Sequence, residues 1–225
     1  MDNYNYHKGM KGIIQELKVL LKTKSIGTNS DRALLLDFQA TLETKPEKAI
    51  KLEKDALAQI ENITADNARL VSNLHANLGG LYRMNGHPDL AREHMEKSIS
   101  LLDQFNLLHI NDSIPQIANY AMFLTEQQEP ERGISELQKL SGIIKEYHSD
   151  DCLDYAKVQE TLGTIYLMTA NLPQAKTHFK RAFKIYEKIW ADEPEMIEAK
   201  YQEIQELYPQ IGFCIGKNLS GLLTK

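Results

Sequence analysis

The densest group of side chains that could do chemistry lies in residues 148–154. Its members are His148, Asp150, Asp151, Cys152 and Asp154. Imidazole, carboxylate and thiolate groups bind transition metals, so a metal-dependent hydrolase is one function that this segment could support. The same residues suit a loop that leads into a helix, because a serine or aspartate can cap the helix and acidic groups stabilise its N-terminus. The loop interpretation is favoured, and we predict that the chain is not an enzyme.

Other motifs and the composition narrow the classes of function. The sequence contains no glycine-rich phosphate loop, no His-Glu-x-x-His and no Gly-x-Ser-x-Gly, and it predicts no cofactor and no metal. The net charge of −5 argues against nucleic acid as a partner. No apolar run is long enough for a membrane span, and the N-terminus has no signal-peptide core. We therefore expect a cytoplasmic protein without membrane contact.

A second candidate is a stripe of lysines near the end of the repeats. Lys176, Lys180, Lys184 and Lys188 recur every four residues, and Arg181 lies beside them. Residues four apart share one face of a helix. This face could dock an acidic partner or could simply be solvated, and the acidic residues that follow it favour the solvated face.

The elements that would position these residues form an internal repeat of 42 residues. Similar residues return at this step in four registers: Pro46, Pro88 and Pro130; Leu36, Leu78, Tyr120 and Leu162; Ala49, Ala91, Gly133 and Ala175; Ala56, Ser98, Leu140 and Ala182. Within a unit, apolar residues recur at steps of three and four, which indicates helices. Each unit is predicted to be a helix, a tight turn and a second helix, with proline near the start of the second helix.

Two glycines inside the predicted helices need a packing reason. Glycine in a helix interior is less favourable than alanine by about 1 kcal/mol. Gly79 and Gly163 occupy the same position in the second and fourth units. We expect the second helix to approach them closely at Ala91 and Ala175, since two helices can meet tightly where both lack bulk.

The residues Leu78-Gly79-x-x-Tyr82 followed by Ala91 resemble the tetratricopeptide signature, as do Leu162-Gly163-x-x-Tyr166, Ala175 and Phe179. The repeat step is longer than the usual one of about 34 residues. In this the chain resembles the kinesin light chain subclass and the repeat domains of Gram-positive peptide-pheromone receptors. The first unit is degenerate, with Asp37 for the glycine, Ala40 for the tyrosine and Glu53 for the phenylalanine.

The resemblance implies an all-α fold, a right-handed superhelix of about four helical hairpins. The hairpins would span residues 30–65, 70–107, 114–148 and 155–190. Capping helices are expected in residues 1–24 and 195–225, because the open ends of a solenoid expose core. The apolar end of the C-terminal segment could instead mediate a homodimer.

The resemblance also implies that the first helix of each hairpin lines a concave groove that binds a peptide or protein segment. The predicted groove residues are Asn73, Asn77, Arg83, Met84, Asn119, Met122, Glu126, Lys157, Glu160 and Met168. An asparagine amide can both donate to and accept from a peptide backbone, but it can equally bond between adjacent repeats. The leading interpretation is a binding scaffold, and the alternative is a peptide-sensing module that regulates another protein.

Overall fold

The computed structural model describes residues 27–109 and 113–207, together with parts of a helix within residues 12–21. From residue 27 onward these residues form nine helices, and the described chain contains no strand. The helices are α1 (Asn29–Thr41), α2 (Pro46–Leu57), α3 (Ala68–Met84), α4 (Pro88–Gln104), α5 (Ser113–Glu126), α6 (Pro130–Tyr147), α7 (Leu153–Met168), α8 (Leu172–Ile189) and α9 (Pro194–Leu207). The prediction of an all-α fold built from helical hairpins is confirmed.

Each hairpin pairs two consecutive helices: α1 with α2, α3 with α4, α5 with α6 and α7 with α8. Proline occupies the first turn of every second helix, where its missing N–H leaves no hydrogen bond unmade. The turns repeat as well, because Gly86, Gln128 and Ala170 occupy equivalent positions in successive repeats and all have positive φ, at 74°, 65° and 59°. A left-handed residue of this kind ends a helix and reverses the chain. The left-handed residue therefore recurs in each of these three turns, although only the first of the three is a glycine.

The chain divides into two compact units, Met1–Leu108 and His109–Lys225. In unit 1, Ala33, Ala56 and Leu74 form a buried cluster between the two hairpins. In unit 2, α9 packs on the last hairpin and contributes Ile204 to a cluster around Phe179. Residues 1–11 and 208–225, which include most of the predicted dimer segment, lie outside the described residues.

Close approach within the hairpins occurs at both Gly79 and Gly163. A Cβ on Gly79 would lie 2.5 Å from Cγ of Met95 and 3.3 Å from the carbonyl oxygen of Ala91. A Cβ on Gly163 would lie 2.8 Å from Cδ2 of Phe179, so the nearest neighbour at this position is the Phe179 ring rather than Ala175. The ring of Phe179 lies across the space that a side chain at 163 would occupy.

Candidate functional site

In unit 2, the first helices of the third and fourth hairpins contact each other and line one depression. It has a volume of about 200 Å³ and is lined by Ala118, Asn119, Met122, Glu160, Thr161 and Thr164. Three of the predicted groove residues, Asn119, Met122 and Glu160, meet here. Asn119 is exposed and the other two are half-buried. We call this feature the α5–α7 depression.

Glu160 on its margin is bound on both carboxylate oxygens. The Tyr186 hydroxyl donates to Oε2 at 2.6 Å, and Lys200 Nζ on α9 lies 2.9 Å from Oε1. Burial and the negative charge of Glu160 raise the pKa of Tyr186, so the phenol remains protonated and donates. Burial lowers the pKa of Lys200, but the carboxylates of Glu160 and Glu203 outweigh it and raise the pKa overall. Glu160 thus joins α7, α8 and α9 through charge-assisted hydrogen bonds.

In unit 1, the Asn77 amide is engaged by two carboxyl groups. Its Nδ2 donates to Oδ1 of Asp37 at 2.8 Å and to Oε1 of Glu53 at 3.2 Å. Glu53 is 1% exposed. Burial, followed by the nearby charge of Asp37, raises the pKa of Glu53 to about 9. Burial also raises the pKa of Asp37, although hydrogen bonds from Glu53 and Asn77 act in the opposite direction.

These values imply that Asp37 and Glu53 share one proton at neutral pH, with Glu53 neutral. Two carboxylates this close cannot both ionise without strong repulsion. Oε2 of Glu53 is buried and has no hydrogen-bond partner among the described residues, and such an environment disfavours a charged carboxylate. Asn77 therefore links the two hairpins of unit 1, α3 to α1 and α2.

The remaining predicted groove residues lie along the same first helices. Asn73 and Arg83 are half-buried on α3. Lys157 on α7 is exposed, with Nζ 3.6 Å from Oδ1 of Asp154. Most of the predicted groove residues therefore lie outside the α5–α7 depression. The other three predicted residues are exposed in the last turns of α3, α5 and α7, and they are Met84, Glu126 and Met168.

The depression also contains residues that sequence reasoning did not assign to the groove. They are Ala118, Thr161 and Thr164. Thr161 is the fourth unit's equivalent of Asn77 and Asn119. The repeat register therefore contained the signal that would have placed Thr161 on this face.

Sequence reasoning gave His94 no role, yet it is half-buried and hydrogen-bonded. Nδ1 of His94 lies 2.9 Å from Nδ1 of His75, and its ring stacks on Tyr82 with centroids 5.4 Å apart. Burial, His94 and Lys97 lower the pKa of His75 to about 4. Burial is also the main cause of the lowered pKa of His94, assisted by Lys54 and Lys97 and opposed by Glu93.

The fourth hairpin contains the matching arrangement. Nδ1 of His178 lies 2.9 Å from Oε1 of Gln159, and its ring stacks on Tyr166 with centroids 5.2 Å apart. Burial, then Arg181, lowers the pKa of His178. The signal for both sites was present in the sequence, since the tyrosine and the histidine occupy equivalent positions in the second and fourth repeats.

The side chains of residues 148–154 contact separate partners. Nε2 of His148 contacts the carbonyl oxygen of His109 at 3.0 Å, and Asp151 pairs with Lys188. Asp150 lies 3.9 Å from Lys145. Within the described residues, no three histidine, cysteine or acidic side chains converge as a metal site would require.

The cap of α7 also differs from the expected serine or aspartate. Sγ of Cys152 accepts from the backbone N–H of Tyr155 at 3.4 Å. Cys152 therefore has a structural position at the start of this helix.

None of the described helices is long and apolar enough to cross a membrane. Residues 113–188 match the family model of the tetratricopeptide repeat. A comparison with the curated proteins finds no significant match.

Among solved structures, BtubC (BKLC) from P. vanneervenii is 18% identical, with 94% of this chain and 85% of that chain covered and a TM-score of 0.71. A Podosopora anserina protein described as a kinesin light chain with nearly identical TPR-like repeats is 13% identical, with coverages of 83% and 92% and a TM-score of 0.66. MamA is 15% identical, with coverages of 83% and 94% and a TM-score of 0.56. The chain has the fold of these kinesin-light-chain-like repeat structures, and its residues 113–188 match the tetratricopeptide repeat.

Proposed function

We propose that this chain is a protein-binding scaffold whose α5–α7 depression holds an extended segment of a partner. The observation that carries the proposal is the meeting of Asn119, Met122 and Thr161 on one open face of unit 2. Asparagine and threonine are weak helix formers, so their presence in mid-helix on this face favours a role beyond the helix itself.

The chemistry of the depression suits a peptide backbone beside an apolar side chain. The exposed Asn119 amide offers both a donor and an acceptor. Met122 offers a flexible apolar contact that adapts to different partners. Glu160 adds negative charge, although Lys200 and Tyr186 already engage its oxygens. These features support binding of a neutral or mildly basic segment.

In unit 1, Asn73, Asn77, Arg83 and Met84 are proposed to present the corresponding face. The amide nitrogen of Asn77 is already donated to Asp37 and Glu53. Asn77 would therefore support binding mainly by holding α3 in position, whereas Asn119 would contact the partner directly.

The proposal can be tested by site-specific photocrosslinking in extracts of the native cell. A benzophenone amino acid at position 122 should crosslink a discrete protein, which mass spectrometry then identifies. The matched control is the same amino acid at position 142, where the exposed Gly142 of α6 has open space around it. Equal products from both positions would refute a specific site in the depression.

Once the partner is identified, Asn119→Ala should weaken its binding about tenfold, because the variant loses hydrogen bonds worth about 1–1.5 kcal/mol. The melting temperature should stay unchanged. Unaltered affinity would remove Asn119 from the site.

A further inference from the structure

The exposed face of α8 is unlike that of the other second helices. It carries Lys176, Lys180, Arg181, Lys184 and Lys188, all exposed. No acidic residue occurs on α8 before Glu187, near its end. With a rise of about 1.5 Å per residue, the four lysines form a line about 18 Å long with steps of about 6 Å.

The other second helices mix charges of both signs. The sequences of α2, α4 and α6 interleave acidic and basic residues throughout. On α4, for example, Arg92 lies 3.9 Å from Glu96 one turn later. On α8, Lys188 pairs with Asp151, but Lys176, Lys180 and Lys184 form no ion pair with any described residue.

If this face only contacted solvent, the row of like charges would not stabilise the helix. Like charges four residues apart destabilise a helix by about 0.2–0.5 kcal/mol per pair. Lys176 with Lys180, and Lys180 with Lys184, are two such pairs, and the described part of the chain offers no offsetting contact. A local rule that is broken without internal compensation is a mark of a functional surface.

We propose that this lysine face (Lys176, Lys180, Arg181 and Lys184) docks an acidic helical segment of another protein. Carboxylates four residues apart on a partner helix recur at the same step of about 6 Å, so two such helices can align their charges in register. Electrostatic complementarity of this kind sets orientation and speeds association. The lysine face lies on a different helix from the α5–α7 depression, and it would give the scaffold a second attachment point.

A protein segment fits the lysine face better than a nucleic acid or a membrane. The line of charge is narrow and short. Asp150 and Asp151 lie at the Lys188 end, and Asp192 and Glu193 follow the helix directly. These acidic groups would repel an extended polyanion, while a short acidic helix would end before it reached them.

The test uses the full chain and a synthetic alanine-based peptide with glutamate at every fourth position. The peptide has about 12 residues, so that as a helix it matches the length of about 18 Å of the line of lysines. The probe should bind at low salt and be released as the salt rises, because exposed charges are screened over about 10 Å at 0.1 M. A peptide with glutamine in place of each glutamate should not bind. No binding of the glutamate peptide, or equal binding of both peptides, would overturn the proposal.

Charge reversal then locates the binding site. Lys180→Glu with Lys184→Glu should weaken the glutamate peptide about tenfold or more. The matched control is Lys48→Glu with Lys51→Glu, which makes the same change of charge on exposed lysines of α2 and should have little effect. An equal loss in both variants would mean general attraction and would refute a specific surface. Tighter, lysine-dependent binding to a DNA duplex or to vesicles with anionic lipid would also overturn it.

A second measurement does not depend on any partner. Lys180→Glu converts two repulsive pairs on α8 into attractive ones, so the melting temperature should rise by about 2–4 °C. A fall or no change would show that the lysines are not mutually repulsive in the folded chain, and the argument from uncompensated charge would fail. Groove variants such as Asn119→Ala should leave peptide binding to the lysine face intact, which separates this proposal from the previous one.

Discussion

The first and fourth hairpins place opposite chemistry at the same two repeat positions. In the fourth, Gly163 lies under the ring of the fully buried Phe179. In the first, the equivalent residues are Asp37 and Glu53, which share a proton and accept from the Asn77 amide. Both solutions fill the space between two helices of a hairpin.

The two hairpins are therefore stabilised by two different kinds of contact between their helices. An aromatic ring over a glycine depends on shape, so it should respond to added volume and hardly to pH. A buried carboxyl pair depends on protonation, and such pairs often contribute less stability than apolar residues of similar size. The two hairpins should therefore respond to different perturbations.

The largest effect is expected from volume at position 163. Gly163→Leu should lower the free energy of unfolding by about 3 kcal/mol, because even the Cβ would come within 2.8 Å of the Phe179 ring. Chemical denaturation followed by fluorescence is a suitable measurement, since the single tryptophan, Trp190, lies in unit 2. A loss below about 0.5 kcal/mol, the size of an ordinary surface effect, would contradict the packing assignment.

A paired substitution sharpens this prediction. The third hairpin has Ala121 and Leu137 at the same two positions. Gly163→Ala should destabilise alone, and adding Phe179→Leu should recover about 1 kcal/mol relative to additivity, since the ring is the clashing group. Strict additivity would show that the ring is not the obstacle.

The next effect concerns pH and Glu53 in the first hairpin. Its pKa rises from the ordinary 4.5 to about 9 on folding. The stabilisation is therefore fully present below the ordinary pKa and is lost as the pH rises through the folded one. Between pH 6 and 9, the free energy of unfolding of unit 1 should fall by roughly 2 kcal/mol.

Hydrogen exchange of the α1–α3 amides measures this loss in unit 1 separately from unit 2. Glu53→Gln cannot ionise and should make the exchange-derived stability of these helices nearly independent of pH in that range. If the wild-type and variant proteins have the same slope, the carboxyl pair does not share a proton.

A smaller effect of opposite sign is expected in acid. The lowered pKa of His75, about 4, means that its stabilisation is present above the unfolded pKa near 6.5 and is lost as the pH falls toward 4. The charged groups that act on it, His94 and Lys97, both disfavour a positive charge on its ring. We expect the free energy of unfolding to fall by about 1–2 kcal/mol over this range.

His75→Gln reproduces the contact that Gln159 makes with His178 in the fourth hairpin. A glutamine oxygen can accept from a protonated imidazole, so the variant should lose less stability in acid. Comparing amide exchange of the two proteins at each pH cancels the contribution of Glu53, which acts in the opposite direction. Equal acid sensitivity would remove His75 as its source.

The repeat period was sufficient to predict the hairpins, because it records helix packing at every step. The same period did not reveal what fills a degenerate position. Asp37 and Glu53 were noted as departures from the glycine and phenylalanine, but only the folded chain shows that they face each other. Pairing across two helices depends on helix rotation, which sequence spacing fixes only to within a turn.

The candidate site was predicted less completely for a related reason. The repeat step places Asn77 and Asn119 at equivalent positions, and both lie on first helices as expected. The repeat step does not indicate whether a neighbouring residue already accepts a hydrogen bond from the amide. Glu53 does so for Asn77, whereas Asn119 is exposed beside the α5–α7 depression.

The smallest effect tests this contrast between equivalent asparagines. Asn77→Ala removes two hydrogen bonds to carboxyl groups in a half-buried position, so it should lower the free energy of unfolding by about 1 kcal/mol. Asn119→Ala removes an exposed amide and inserts a better helix former, so stability should change by less than about 0.5 kcal/mol. Thermal melts of the two single variants and the double variant measure both effects.

The double variant should equal the sum of the singles, since the two residues share no partner among the described contacts. A further consequence follows for pH, because the Asn77 amide lowers the pKa of both Asp37 and Glu53. Without that donor, ionising the pair becomes harder, so the loss of unit 1 stability in Asn77→Ala should grow as the pH rises from 6 to 9. Asn119→Ala should show no such trend. If both asparagine variants were equally destabilised at every pH, the two residues would hold the fold in the same way, and the contrast between a structural amide and a binding amide would have to be abandoned.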